Sequence, residues 1–196
     1  MSRQLRAVLL MLFVAACGRS GGYGESPSQM EDACAILKER PQYSRAFRAT
    51  ERRWGVPTHV QMATIYQESK FVSDARTPYR YALGVIPMGR QSSAFGYSQA
   101  LDGTWDEYVA QSGSRRARRD NIHDATDFMG WYMSKSRDEL GIQMYDARNH
   151  YLAYHEGRTG FRRGSYNNKA WLVRVAGTVE ARAATYQAQL RRCGRG

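Results

Sequence analysis

Apolar residues recur along this chain at the three- and four-residue intervals of helices that bury one face. Ser28 and Glu31 have capping-box spacing ahead of a helix carrying Ala33, Ile36 and Leu37, which must end before Pro41. A second helix is predicted over 42–54, stopped by Gly55. A third begins after Pro57, where Thr58 and Gln61 repeat the capping-box pattern. Thr104 and Glu107 cap a short helix with Trp105, Tyr108 and Val109. Residues 124–140 place Phe128, Trp131 and Tyr132 on one side. Residues 146–156 end at Gly157 as a C′ glycine, and 169–191 carry Leu172, Val175, Ala176, Val179, Ala183 and Tyr186. Strand signals are scarce, so any sheet is a small ribbon between 77 and 91. Residues 76–93, with Pro78, Gly84, Pro87 and Gly89, read as a long functional loop. The fold class is mostly α.

Within the third helix the run Met62-Ala63-Thr64-Ile65-Tyr66-Gln67-Glu68-Ser69-Lys70-Phe71 closes an apolar stripe with a carboxylate. A glutamate held against apolar and aromatic groups ionises reluctantly, and the negative end of the helix dipole pushes the same way. Such a group can deliver a proton near neutral pH. Read alone, Glu68 is equally a residue that ends a helix and faces solvent.

The first sixteen residues are not part of the fold. Arg3 and Arg6 precede an apolar run over 7–16, too short for a permanent span. Val14-Ala15-Ala16-Cys17 closes it and resembles the lipobox of bacterial lipoproteins, in which cleavage precedes a cysteine that is then acylated. An ordinary signal peptide is the alternative. The resemblance implies a lipid on Cys17 and a periplasmic protein, and Gly18 after the cysteine implies the outer membrane. Residues 17–28 then form a flexible tether, and 29–196 form one domain. Cys34 and Cys193 remain, and in an oxidising compartment one pair reads as one disulfide, with free thiols as the alternative.

The formal net charge is +11, two fewer once Arg3 and Arg6 leave with the leader. Strong basicity often marks nucleic-acid binding, but an exported lipoprotein meets cell wall and anionic headgroups instead. The cluster Arg115-Arg116-Ala117-Arg118-Arg119 has no aromatic interleaving and reads as a solvated loop. Four histidines show no ligand-like pairing and no phosphate-binding glycine loop is present, so neither metal nor cofactor is predicted.

Two further segments change the meaning of Glu68. One is Ala94-Phe95-Gly96-Tyr97-Ser98-Gln99-Ala100-Leu101; the other is Tyr151-Leu152-Ala153-Tyr154-His155-Glu156-Gly157, followed by Gly160-Phe161. With Glu68-Ser69-x-Phe71 they resemble the three ordered motifs of the soluble lytic transglycosylase family, whose domain has a lysozyme-like fold. The family's motifs are Glu-Ser, a Gly-Leu-Met-Gln-like run, and an Ala-Tyr-Asn-Ala-Gly-like run. Departures are Tyr97 and Ser98 in the second, His155 and Glu156 in the third, and the long intervening loop.

The resemblance implies that Glu68 is the catalytic acid and that Gln99 and Tyr154 are the residues of the second and third motifs. Ser69, Phe71, Tyr97, Ser98, His155 and Glu156 complete the expected substrate-binding set. Tyr154 is expected to orient the Glu68 carboxyl, or else to be a core aromatic. Gln99 and Ser98 are expected to hold an acetamido or hydroxyl group, with Tyr97 and Ser98 in the cleft wall. His155 and Glu156 are expected to be structural groups that do not face each other. The implied partners are peptidoglycan glycan strands, the membrane through Cys17, and a candidate envelope protein complex. Two other readings stay open: a lysozyme-type muramidase using Asp74 or Asp102 as second carboxylate, and a catalytically silent wall-binding lipoprotein.

Overall fold

The computed structural model describes residues 24–112 and 114–194. The leader, Cys17 and most of the expected tether lie outside them. Among the described residues the helices are Ala33–Glu39 (α1), Pro41–Trp54 (α2), Thr58–Ser69 (α3), Asp102–Gln111 (α4), Ile122–Leu140 (α5), Ala147–Arg162 (α6) and Ala170–Arg192 (α7). One antiparallel ribbon, Tyr79–Ala82 (β1) with Ile86–Arg90 (β2), lies where a ribbon was expected. The architecture is mostly helical and lysozyme-like.

The centre is α3. Val60, Met62, Ala63 and Ile65 are all fully buried, with no polar face between them, which is the pattern of a helix surrounded by others. It packs against α2, α5, α6 and α7. A second, aromatic core of Trp105, Tyr108, Phe128, Trp131 and Tyr132 joins α4 to α5. Helices α2 and α5 approach closely at Gly130, where an added Cβ would stand 2.4 Å from the Trp54 ring.

Several helix starts differ from the sequence reading. The cap of α1 is Asp32, whose carboxylate accepts from the backbone N–H groups of Cys34 and Ala35. Ser28 instead donates through N–H and Oγ to Glu39, and Glu31 pairs with Arg182 at 2.6 Å. Thr58 and Gln61 do not form a capping box: Thr58 Oγ1 donates to Glu51, and the fully buried Gln61 donates to the carbonyls of Phe47 and Val56. In each case a partner outside the capping box outcompetes the local one. Helix α4 starts at Asp102 without a side-chain cap, and Asn121 caps α5. Gly157 (φ 72°, ψ 156°) kinks α6 rather than ending it, and helix resumes to Arg162.

The end of the expected tether is docked on the body. Ser26 Oγ donates to the Lys70 carbonyl at 2.7 Å, and Gly24 lies against Ser73 and Asp74. Cys34 and Cys193 are joined in a disulfide that ties α1 to the end of α7, 159 residues apart in sequence. A closed loop of that length restricts the unfolded chain strongly. Reduction, or Cys34→Ser with Cys193→Ser, should lower unfolding free energy by about 2–5 kcal/mol, measured by denaturant titration with and without reductant.

Candidate functional site

Glu68 occupies the last turn of α3, and the chain turns sharply after it. Lys70 and Phe71 both have positive φ, 52° and 62°, a conformation that costs non-glycine residues about 1 kcal/mol or more each. Burial of Phe71 offsets that cost. Its ring is fully buried and stacks on Tyr43 at 5.8 Å, a contact of about 1.5–3 kcal/mol in apolar transfer alone. The plug fixes where α3 stops and therefore where Glu68 sits.

Glu68 lies deep among protein atoms yet keeps a partly open face. Desolvation dominates its titration and raises the carboxyl from the ordinary 4.5 to about 7. A hydrogen-bonding interaction with the Tyr151 hydroxyl and the Lys70 ammonium oppose the shift without cancelling it. Tyr151, one helical turn before Tyr154 on α6, is itself buried, and its phenol is pushed up by burial and then by Glu68.

Tyr154 does not take the orienting role assigned to it. Its hydroxyl donates to the Ser98 carbonyl at 2.7 Å, although it stands within electrostatic reach of Glu68. Its ring packs on Tyr132 and Phe128 at 5.1 and 6.4 Å. Tyr154 therefore joins α6 to the second motif, and Tyr151 is the phenol that addresses the acid. The spacing of the two tyrosines was the available signal, since residues i and i+3 share a helix face.

The second motif is a tight loop. Phe95 and Ala100 bridge across it, and Gln99 has φ 49°. Gln99 Nε2 donates to the carbonyls of Gly96 at 2.8 Å and Ala75 at 2.9 Å, so its amide nitrogen braces the loop against the segment leaving Glu68. Gly96 has φ 80° and presses on Arg119, whose carbonyl oxygen would lie 2.1 Å from an added Cβ. Arg119 Nη1 in turn donates to the Ala100 and Ser93 carbonyls and pairs with Asp102 at 2.7 Å. The basic 115–119 cluster is thus partly a strap; Arg115, Arg116 and Arg118 are its solvated members.

Tyr97 and Ser98 do not form a cleft wall. Tyr97 is 4 % exposed, with its hydroxyl 3.1 Å from that of Tyr43, and Ser98 is fully buried. Phe71 is likewise core rather than binding surface, and the Ser69 hydroxyl donates back to the Ile65 carbonyl. A small apolar-polar alternation cannot reveal this, because the loop's fold turns these side chains inward.

Beside Tyr154 a cavity of about 260 Å³ is lined by Gln99, Leu101, Thr104, Tyr132, His155 and Glu156 among others. His155 is exposed and packs edge-on against Trp171 at 5.1 Å. Contrary to expectation, His155 and Glu156 do meet, Nδ1 to Oε1 at 3.1 Å, at the turn just before the Gly157 kink. Glu156 lines the cavity and is also tied to the body. Its carboxylate accepts from Ser165 Oγ and from Lys169 Nζ at 2.7 Å, and these partners hold it down to about 2.

Asp102 is exposed and engaged by Arg119, and Asp74 is exposed. Among the described residues no second carboxylate is among the groups that shift Glu68. Nor does any group of three or more His, Cys, Asp or Glu side chains there form a metal-holding cluster.

A family model described as Transglycosylase SLT domain matches residues 5–193. No curated protein matches the chain.

The neutral carboxyl has a consequence for stability. Between about pH 4.5 and 7 the folded state holds a proton at Glu68 that the unfolded chain releases, so stability falls as pH rises through that window. Glu68→Gln removes the dependence. The variant should be more stable than the parent above pH 7 by up to about 3 kcal/mol, the two converging below pH 4.5, as read by thermal or denaturant unfolding across pH.

Proposed function

The chain belongs to the transglycosylase SLT domain family, and from that premise we propose that it is a lipid-anchored lytic transglycosylase. It cleaves the β-1,4 bond between N-acetylmuramic acid and N-acetylglucosamine in peptidoglycan and leaves 1,6-anhydromuramoyl ends. Peptidoglycan lytic transglycosylase activity is the activity of the family as a whole; the bond, the product and the acid are this proposal's own terms.

The observation that carries the reading is a carboxyl held neutral to about pH 7, hydrogen-bonded by Tyr151 and within electrostatic reach of Tyr154, which lines the cavity, with no second carboxylate bearing on it among the described residues. Glycosidic cleavage needs a proton on the leaving oxygen and stabilisation of an oxocarbenium-like centre. Protonated Glu68 supplies the proton as the C1–O4 bond breaks, while the N-acetyl oxygen of the muramic acid shields C1. The resulting Glu68 carboxylate then takes the proton from the 6-hydroxyl, whose oxygen closes on C1. The carboxyl ends protonated, and no water is consumed. Tyr151 stabilises the carboxylate between the two steps, since hydrogen bonding favours its charged form.

Cys17 carries lipid in this reading and holds the enzyme at the outer membrane on its periplasmic side, where glycan strands lie within reach. An envelope protein complex is a further candidate partner. Asp74 and Asp102 offer the muramidase alternative little, being exposed or already paired.

Digestion of purified sacculi followed by mass spectrometry decides the reaction. Products lighter than hydrolytic ones by the mass of one water are expected, and reducing ends would overturn the proposal. Glu68→Gln should reduce turnover by about 1,000-fold or more while sacculus binding persists; unchanged turnover would favour the silent wall-binding reading. Activity should fall as pH rises through about 7, because the proton donor is lost. Tyr151→Phe removes a group that favours the carboxylate, so its alkaline limb should move to higher pH.

A further inference from the structure

Of the nine exposed large hydrophobic side chains among the described residues, six stand on one hairpin: Tyr79, Tyr81, Leu83, Val85, Ile86 and Met88. Leu83 is 91 % exposed and Val85 76 %. Neither strand has a helix as a substantial packing partner, so the ribbon stands off the helical body. Isolated two-stranded hairpins gain little by themselves in water, and contiguous exposed apolar surface of this kind marks an interaction site.

The tip violates a local rule. Val85 N–H donates to the Ala82 carbonyl, and Leu83 and Gly84 between them have φ 52° and 76°. Turns with two positive φ values favour Asn-Gly or Asp-Gly. A leucine there is strained and wholly exposed, which serves the fold in no way that its contacts reveal.

The hairpin is graded along its length. Leu83, Val85 and Ile86 form the outer end, Tyr81 pairs with Pro87 behind them, Arg80 and Met88 follow at mid-length, and Tyr79 pairs with Arg90 toward the base, where Arg76 also lies. Between Phe71 and Leu101 the single acidic residue is Asp74. An aliphatic tip backed by interleaved tyrosines and arginines matches the acyl chains of a lipid leaflet and, behind them, its interface and anionic headgroups.

The chain's path places this arm near the expected anchor. Gly24 and Ser26 lie against Ser73, Asp74 and Lys70, just before the hairpin begins. The seven residues from Cys17 to Gly24 reach at most about 25 Å, and a five-residue strand extends about 17 Å. A lipid on Cys17 therefore keeps the hairpin base within reach of the bilayer.

We propose that the Tyr79–Arg90 hairpin inserts its tip into an anionic lipid surface, the second contact that orients the lipid-anchored enzyme. This rests on the anchored reading above and not on the identity of the acid. One acyl signal with a shallow apolar-cationic contact is a familiar division of membrane affinity.

The test labels the full exported chain at Leu83→Cys with an environment-sensitive fluorophore, with Tyr145→Cys as an exposed control and the unsubstituted chain as blank. Reconstituted in vesicles containing phosphatidylglycerol, the label at 83 should brighten severalfold and shift to the blue while that at 145 stays aqueous. Adding Arg80→Gln should lower the inserted-to-free ratio about fivefold. An aqueous signal at 83 on vesicles overturns the proposal. So does a response to purified sacculi but not vesicles, which assigns the hairpin to glycan, or one that grows with protein concentration alone, which assigns it to a second copy. Loss of anhydro products, or of lipid from Cys17 by intact mass, is read separately and marks failure of the earlier proposal instead.

Discussion

A carboxylic acid taken out of water at the end of a buried helix costs free energy whenever it ionises, and the surroundings of Glu68 are built around that cost. Helix α3 is surrounded by other helices, with even Gln61 and Thr64 fully buried, so its last turn is carried into the interior rather than onto the surface. The strained Lys70–Phe71 turn, locked by the stacked Phe71 ring, stops the helix just past the carboxyl.

Several polar groups in and beside the three motifs spend their hydrogen bonds on backbone. Gln99 holds Gly96 and Ala75, Tyr154 holds Ser98, and Arg119 holds Ala100 and Ser93. Glu156 fastens α6 to the start of α7 through Ser165 and Lys169. Each bond satisfies a carbonyl or charge that burial would otherwise leave costly. The result is a stiff frame about one acid and one phenol. Such a frame suits chemistry in which a single group must first give a proton and then take one, because its two partners change little between the steps.

The exposed apolar side chains gather elsewhere. The body closes its hydrophobic surface into two cores, while the ribbon keeps its own open. Charge follows suit: the Glu156 side chain is covered while that of its partner Lys169 stays partly exposed, and much of the basic excess is solvated.

Periodicity sufficed for the helical architecture, the ribbon, and a carboxylate ending an apolar stripe, because 3.6-residue spacing and glycine or proline stops are local properties. The even pair of cysteines likewise pointed to Cys34 and Cys193. Helix caps were less legible. Ser28, Glu31, Thr58 and Gln61 have local capping chemistry, yet partners outside the capping boxes claimed them. Tyr151 and Tyr154 illustrate the limit: both lie on one face of α6, but which phenol meets Glu68 and which meets Ser98 depends on how α6 crosses α3 and the second motif. Phe71 and Tyr97 turned out to be core for the same reason, since only packing decides which side of a loop faces the cleft. Local spacing thus determined what the elements are, and the crossing of distant elements decided which side chains share the site.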